Sequence, residues 1–138
     1  MLQPKRMKFR KYHKNIQAKK KCNRSSLTFG QYGIKALKNG YFPAKTLEAM
    51  RQTLNRKLKK TGKLWVRIFP DIPRSRKPAE VRMGKGKGAV SFWTSQVAAG
   101  QIIFEMNTNS PELASQASKI VSRMASLPVC LIKKEQPQ

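Results

Sequence analysis

The segment Val81–Trp93 has glycine at every second position, at Gly84, Gly86 and Gly88, and then changes to a strand-like pattern. Glycine adopts positive φ without penalty, and the missing Cβ lets its backbone approach another chain closely. Such a loop can bring backbone N–H groups and cations onto a phosphate chain together. We therefore interpret it as a nucleic-acid contact, made by Arg82, Met83, Gly84, Lys85, Gly86, Lys87 and Gly88.

On its own, the same loop is also compatible with a flexible hairpin tip whose lysines face water. It is not a nucleotide fingerprint, because the phosphate loop of NTPases needs four residues between its glycines and a Ser or Thr after the lysine. The dinucleotide motif needs a helix to follow. Residues 89–98 follow instead, and Val90, Phe92 and Thr94 alternate there with Ser91, Trp93 and Ser95, which is the period of a strand.

Charge is distributed unevenly along the chain. The 138 residues include 30 Lys and Arg against 6 Asp and Glu, a formal net charge of +24. Residues 1–88 hold 26 of the basic residues and three acids, a balance of +23, whereas residues 89–138 hold four and three, a balance of +1. A compact fold with this much like charge needs a polyanion to neutralise it, which favours a nucleic acid. No apolar run approaches a membrane-spanning length, so we expect no membrane partner.

Residues 1–24 carry ten basic residues, no acid and few aliphatic side chains. Such a segment cannot bury enough apolar surface to fold alone, so we predict an arm that orders on RNA. A solvated tail and an organelle presequence are the alternatives. Aromatic rings among cations can stack on unpaired bases while the cations pair with phosphates. His13 is interpreted as a residue that stacks or contacts phosphate rather than as a base. The predicted RNA contacts of the arm are Lys5, Arg6, Lys8, Phe9, Arg10, Lys11, Tyr12, His13 and Lys14.

Residues 25–134 have the patterns of one α+β domain, and residues 135–138 are expected to fray. Two stripes of apolar residues at spacings of three and four predict two helices. The first opens at Tyr41-Phe42-Pro43, ends at Thr61-Gly62 and carries Leu47, Met50, Leu54 and Leu58. The second begins after Ser110 and carries Leu113, Ala117, Ile120, Val121 and Met124. Strands are predicted at 27–29, 32–37, 63–70, 89–98, 101–106 and 129–132.

Two further cationic surfaces are predicted to contact RNA. The first helix has basic residues off its apolar stripe, among them Arg51, Arg56, Lys59 and Lys60. Residues 71–78 contain two prolines and are predicted to form a stiff, exposed connection that contributes Arg74, Arg76 and Lys77.

Nothing in the sequence predicts catalysis, a metal or a cofactor. Cys22 and Cys130 are isolated and are interpreted as free thiols. A ribonuclease would need a paired acid and base, but Glu80 is the only acid near the glycine loop and His13 lies in the arm. A protein that compacts DNA is the other class considered; the glycine loop and aromatic residues favour irregular RNA over duplex.

Several segments, in order and at matching spacing, closely resemble the bacterial and organellar form of large-subunit ribosomal protein sixteen. They are Met1-Leu-Gln-Pro-Lys-Arg, Lys8-Phe-Arg-Lys, Gly62-Lys-Leu-Trp-Val-Arg-Ile-Phe-Pro-Asp, Lys77-Pro, Val81-Arg-Met-Gly-Lys-Gly-Lys-Gly and Gln101-Ile-Ile-Phe-Glu-Met. The resemblance spans nearly the whole chain. Departures are local: residues 15–24 lack glycines usual in the family, Pro43 replaces a Thr or Ser cap, and residues 107–110 replace an Asp-Gly turn.

The resemblance implies a single two-layer domain of the hammerhead type, with two helices packed on a mixed, mostly antiparallel sheet and an extended basic N-terminal arm. It implies a structural, non-enzymatic role in the large ribosomal subunit: binding large-subunit rRNA and organising the A-site tRNA region near the peptidyl-transferase centre, during translation and subunit assembly. The implied partners are rRNA, A-site tRNA and neighbouring ribosomal proteins, without homo-oligomerisation. Arg82 matches a residue that is hydroxylated in some bacterial members. The composition suggests a mitochondrial ribosome, with a plastid or bacterial source as the alternative.

Overall fold

The structure is a computed structural model that describes residues 2–13, 26–59 and 62–134. Predictions made for residues 14–25, for Lys60 and for the tail 135–138 lie outside the described residues. Within them the chain forms, in order, β1 Tyr32–Ala36, β2 Gly40–Pro43, α1 Ala44–Lys57, β3 Lys63–Val66, β4 Ile72–Arg76, β5 Ala89–Val97, β6 Ile102–Asn107, α2 Pro111–Met124 and β7 Val129–Lys133.

The strands form two sheets. A four-stranded sheet has the order β3-β6-β1-β7, and a three-stranded sheet has the order β2-β5-β4. Every pairing between these strands is antiparallel. The predicted α+β class with two helices on a mostly antiparallel sheet is confirmed, while the strands divide between two sheets instead of forming one mixed sheet. Strands β4 and β5 are consecutive in the chain and pair with each other, whereas β5 and β6, although joined by a short turn, lie in different sheets.

The two helices pack against each other and cover the core. Helix α1 buries Ala44, Leu47, Met50 and Leu54, and Leu58 just beyond it is also buried. Helix α2 buries Ala114, Ala117 and Val121 and packs on β7, while α1 contacts β2, β3 and β5. The apolar stripes predicted both helices because side chains three and four residues apart share one face. The largest buried side chains from the strands include Ile34, Phe42, Ile103 and Phe104.

The prediction of an exposed connection at residues 71–78 was wrong over most of that range. Residues 72–76 form β4, which pairs with β5. Pro73 is tolerated because β4 lies at the edge of the three-stranded sheet, where one side of the strand needs no partner. The ladder shifts register between Arg74 and Ser75, where Ser91 of β5 forms a bulge with no partner on β4.

Several boundaries also differ from prediction. Residues 27–29 form no strand, because a carboxylate rather than a neighbouring strand satisfies the N–H groups of Thr28 and Phe29. The predicted helix opening at residues 41–43 is the short strand β2, and α1 starts at Ala44. That helix ends at Lys57, before the predicted position, and Lys59 has a φ of +48°, which is incompatible with continued helix. No helix in the described part of the chain is long and apolar enough to cross a bilayer.

Candidate nucleic-acid interface

The glycine loop, defined as residues 82–88, has a turned backbone that depends on positive φ values at two of its glycines. Gly84 and Gly86 have φ of +100° and +86°, with open space where a Cβ would lie. Lys85 between them has a φ of +55°. Gly88 is required for a different reason: a Cβ there would lie 2.6 Å from the carbonyl oxygen of Arg76. The loop is thus a turned, exposed segment whose last residue is pressed against the end of β4.

The arm, here residues 2–13, contacts the glycine loop near its end through reciprocal lysine bonds. Lys11 Nζ donates to the carbonyl oxygen of Lys87 at 2.8 Å, and Lys87 Nζ donates to the carbonyl oxygen of Tyr12. Lys77, just beyond β4, donates through Nζ to the carbonyl oxygen of Gly84 at 2.5 Å. Two regions 75 or more residues apart, each predicted separately to contact RNA, therefore form one continuous surface.

This arm–loop surface is cationic and its charges are not neutralised internally. The two ion pairs found among the described residues, Arg51–Glu48 and Arg67–Glu105, both lie outside the arm–loop surface. Met83 at the loop is fully exposed, and Phe9, 62% exposed, lies under the Lys8 ammonium at 5.5 Å from the ring centroid. The exposed basic and imidazole side chains of this surface are Lys5, Arg6, Lys8, Arg10, Lys11, His13, Arg82, Lys85 and Lys87.

The basic residues predicted on α1 lie in a different arrangement. Arg51 is engaged by Glu48, with Nη2–Oε1 and Nε–Oε2 distances of 2.6 and 3.0 Å. The hydrogen bond from Arg51 lowers the pKa of Glu48, and the same bond raises the pKa of Arg51. Arg56 and Lys59 are exposed and line a separate depression, and no hydrogen bond joins them to the arm within the described residues.

The basic residues of β4 sit beside the arm. The Arg74 guanidinium lies over the ring of Tyr41, 4.1 Å from its centroid, and Arg76 is exposed. Tyr41 was absent from the predicted contacts. The sequence pattern did not indicate a contact at Tyr41, because residues 41–43 were predicted to open a helix.

A second cluster that sequence reasoning did not assign lies on β3 and the turn before β1. The rings of Phe29 and Trp65 stack at 6.0 Å, and Arg67 lies over Phe29 at 5.0 Å. Glu105 of β6 is fully buried and accepts hydrogen bonds through Oε2 from the N–H groups of Thr28, Phe29 and Gly30, at 3.1, 2.7 and 3.0 Å. Its Oε1 accepts from Arg67 at 2.6 Å. Trp65 and Arg67 are two residues apart in the strand predicted at 63–70, which places them on one face, and this was the available signal.

No group of three or more His, Cys, Asp or Glu residues suited to holding a metal ion occurs in the described ranges, and Cys130 is a free thiol. The fold and the arm–loop surface thus define the class: a small, strongly basic α+β protein with a cationic surface on an exposed arm and loop.

Comparison with known proteins resolves the class into a family. Residues 4–130 match the family Ribosomal protein L16p/L10e. The large ribosomal subunit protein uL16 of Psychrobacter cryohalolentis is 43% identical over 134 residues, which cover 97% of this chain and 98% of that protein. The uL16 of Paramagnetospirillum magneticum is 48% identical over 94% of this chain and 92% of its own length. The uL16m of Prototheca wickerhamii is 46% identical over 94% of both.

The chain belongs to the Ribosomal protein L16p/L10e family. It is therefore a ribosomal protein with a structural rather than an enzymatic role.

Proposed function

We propose that this protein is a constituent of the large ribosomal subunit that binds large-subunit rRNA through the arm–loop surface and helps to organise the A-site tRNA region. The observation that carries the proposal is the reciprocal lysine bonding between arm and glycine loop, which gathers exposed cations without internal counter-ions. Crowded rRNA phosphates supply the missing negative charge, and bound counterions are released on association. Relatives that align over nearly the full chain are named as large-subunit proteins, which supports the subunit assignment.

In this proposal residues 1–24 act as the rRNA-binding arm, residues 25–134 as the rRNA-binding domain that carries the glycine loop, and residues 135–138 as a tail. Backbone N–H groups and lysines of the loop contact phosphates, and aromatic side chains of the arm stack on unpaired bases. The cations of α1 and β4 extend the contact to neighbouring phosphates. The A-site role and the candidate modification at Arg82 rest on the family resemblance of the loop and arm.

The test is sedimentation of native lysate through sucrose gradients at moderate and high salt, with mass spectrometry of this chain in every fraction. Parallel samples are treated with ribonuclease or deoxyribonuclease. We expect the protein to migrate with the large subunit, and to be displaced by ribonuclease alone. Migration with DNA, or release by deoxyribonuclease, would instead assign the basic surface to DNA compaction and overturn the proposal.

We propose a mitochondrial ribosome as its location, with a plastid or bacterial ribosome as the alternative. Bacterial relatives and the uL16m protein match at similar identity, 43% and 46%, so identity does not favour one compartment. Fractionation of organelles from the source cell, followed by the same gradient, distinguishes them. Recovery of the chain only with bacterial or plastid ribosomes would contradict the mitochondrial assignment.

A further inference from the structure

A cleft lies where the arm crosses the three-stranded sheet. It has a volume of about 130 Å³ and is lined by Tyr12 of the arm, Tyr41 of β2, Arg74 and Ser75 of β4, and Lys87 of the glycine loop, among others. An internal cavity of about 150 Å³ accommodates a benzene ring, so this open cleft has room for one planar ring and not for a helix. The arm and the loop, fixed to each other by their lysine bonds, form one wall of the cleft.

The walls have the chemistry on which unpaired bases stack. Bases in single-stranded or extruded RNA stack on aromatic rings and on the planes of guanidinium groups. The Arg74 guanidinium already lies 4.1 Å over the Tyr41 ring, and the Tyr12 ring is about half exposed at 49%. The bulge of this ladder, at which Ser91 of β5 has no partner between Arg74 and Ser75, falls at this position. Bulges are common next to functional sites, where they redirect a side chain.

A polar group in the same cleft has no protein partner. Ser75 Oγ is buried, and no atom of the described residues hydrogen-bonds to it. Buried hydroxyls are nearly always hydrogen-bonded, so an orphan needs a partner from outside the described chain. A serine hydroxyl both donates and accepts, and it can therefore pair with the edge of any base.

We propose that this cleft takes a single RNA nucleotide, extruded from its helix, whose base extends the Tyr41–Arg74 stack and hydrogen-bonds to Ser75. Lys87 and the adjoining arm–loop surface hold the flanking phosphates. The inference rests on the proposed function, because it assigns one nucleotide-sized site within the rRNA contact. It assigns base recognition to one defined cleft between the arm and the three-stranded sheet.

The test uses the full chain and two single-stranded probes of equal charge. One is an eight-nucleotide oligouridylate, and the other has the same backbone with abasic spacers in place of every base. Affinity is measured over a range of salt concentrations. The variants are Tyr12→Leu and Tyr41→Leu, which remove one ring each, and Ser75→Ala, which removes the orphan hydroxyl. Phe69→Leu is the matched control, since Phe69 is an aromatic residue 48% exposed that does not line the cleft.

Wild-type protein is expected to prefer oligouridylate, and each Tyr→Leu change to reduce that affinity about tenfold, the size of one base–aromatic stack. Abasic binding and the salt dependence stay unchanged, because no phosphate contact is lost. Ser75→Ala weakens oligouridylate binding severalfold without lowering the melting temperature, since the hydroxyl has no partner to lose in the free protein. Phe69→Leu behaves as wild type.

The inference would be overturned if Ser75→Ala and both tyrosine variants bind oligouridylate as tightly as wild type. It would also be overturned if they lose the same affinity for the abasic probe as for oligouridylate. If wild-type protein sediments with the large subunit but shows no preference for bases, the inference fails and the proposed function stands. If it binds neither probe and sediments free, both fail.

Discussion

At the scale of single residues, Glu105 fixes the turn that precedes β1. One carboxylate satisfies three consecutive backbone N–H groups and the Arg67 guanidinium, while the glycine at position 30 lets the chain pass β6, where a Cβ would lie 2.6 Å from the Met106 oxygen. Buried donors that lose their acceptor retain the full cost of desolvation. The carboxylate therefore replaces the strand pairing that residues 27–29 do not make.

We expect Glu105→Gln to lower the free energy of unfolding by about 3 kcal/mol, because one acceptor oxygen becomes an N–H₂ donor that faces other donors and Arg67 loses its charge partner. Urea denaturation at pH 7 measures the change. The midpoint should fall while the slope with denaturant stays constant, since the fold itself is unchanged.

Glu48→Gln provides the matched control, because the Glu48–Arg51 pair has the same 2.6 Å distance but lies on the partly exposed face of α1. We expect a loss within about 0.5 kcal/mol. Hydrogen bonding to Arg51 lowers the pKa of Glu48 from its ordinary value of 4.5. The pair therefore stabilises the fold at pH values above that ordinary pKa, and the contribution disappears as the pH falls through the lowered pKa. Equal losses from both substitutions at pH 7 would show that burial is not the cause.

At the scale of elements, the glycine loop depends on two different properties of glycine. Gly86 has space around it but a φ of +86°, so a β-branched residue there must change the backbone of the loop. We expect Gly86→Val to leave the domain folded, with a melting temperature near that of wild type, because the loop is exposed. Incorporation into large subunits, measured in gradients from cells that express the tagged variant, should be lost.

Gly86→Asn separates two explanations of that loss. Asparagine tolerates positive φ, so this variant should incorporate if loop conformation is what matters. If RNA backbone packs directly against the glycine, both variants fail, since either side chain holds the chains apart. Normal incorporation of Gly86→Val would contradict the assigned role of the loop.

Elements with strong periodicity could be predicted from the sequence, and contacts between distant segments could not. The stripe Leu47, Met50 and Leu54 gave α1 because burial of one face requires that spacing. Strand β4 was missed because a proline and two arginines within five residues are typical of loops, and its place at a sheet edge makes Pro73 tolerable. The bond from Lys11 to the Lys87 carbonyl depends on the folded positions of two exposed segments, for which a lysine in the sequence gives no local signal.

At the scale of the whole molecule, charge and packing are segregated along the chain. Residues 89–138 supply β5 to β7 and α2 with a balance of +1, whereas residues 1–88 carry +23. Leu2 nevertheless packs against the core, so the arm has an anchor at its start as well as its bonds to the glycine loop. A test of the arm must therefore remove its charge and keep its length.

Replacing Lys5, Arg6, Lys8 and Arg10 with glutamine removes four cations and keeps Leu2 and the bond from Lys11 to the glycine loop in place. Each phosphate contact contributes roughly 0.7–0.9 to the slope of log affinity against log salt, so four lost contacts would flatten the slope by up to about 3.6. The measurement is binding to a transcript of large-subunit rRNA at several salt concentrations. The control replaces the four exposed cations of the C-terminal third, Lys119, Arg123, Lys133 and Lys134. If net charge alone governs binding, the arm variant and the control flatten the slope almost equally. If the arm contacts phosphates as proposed, only the arm variant flattens it. An unchanged slope in the arm variant would make the arm a solvated tail.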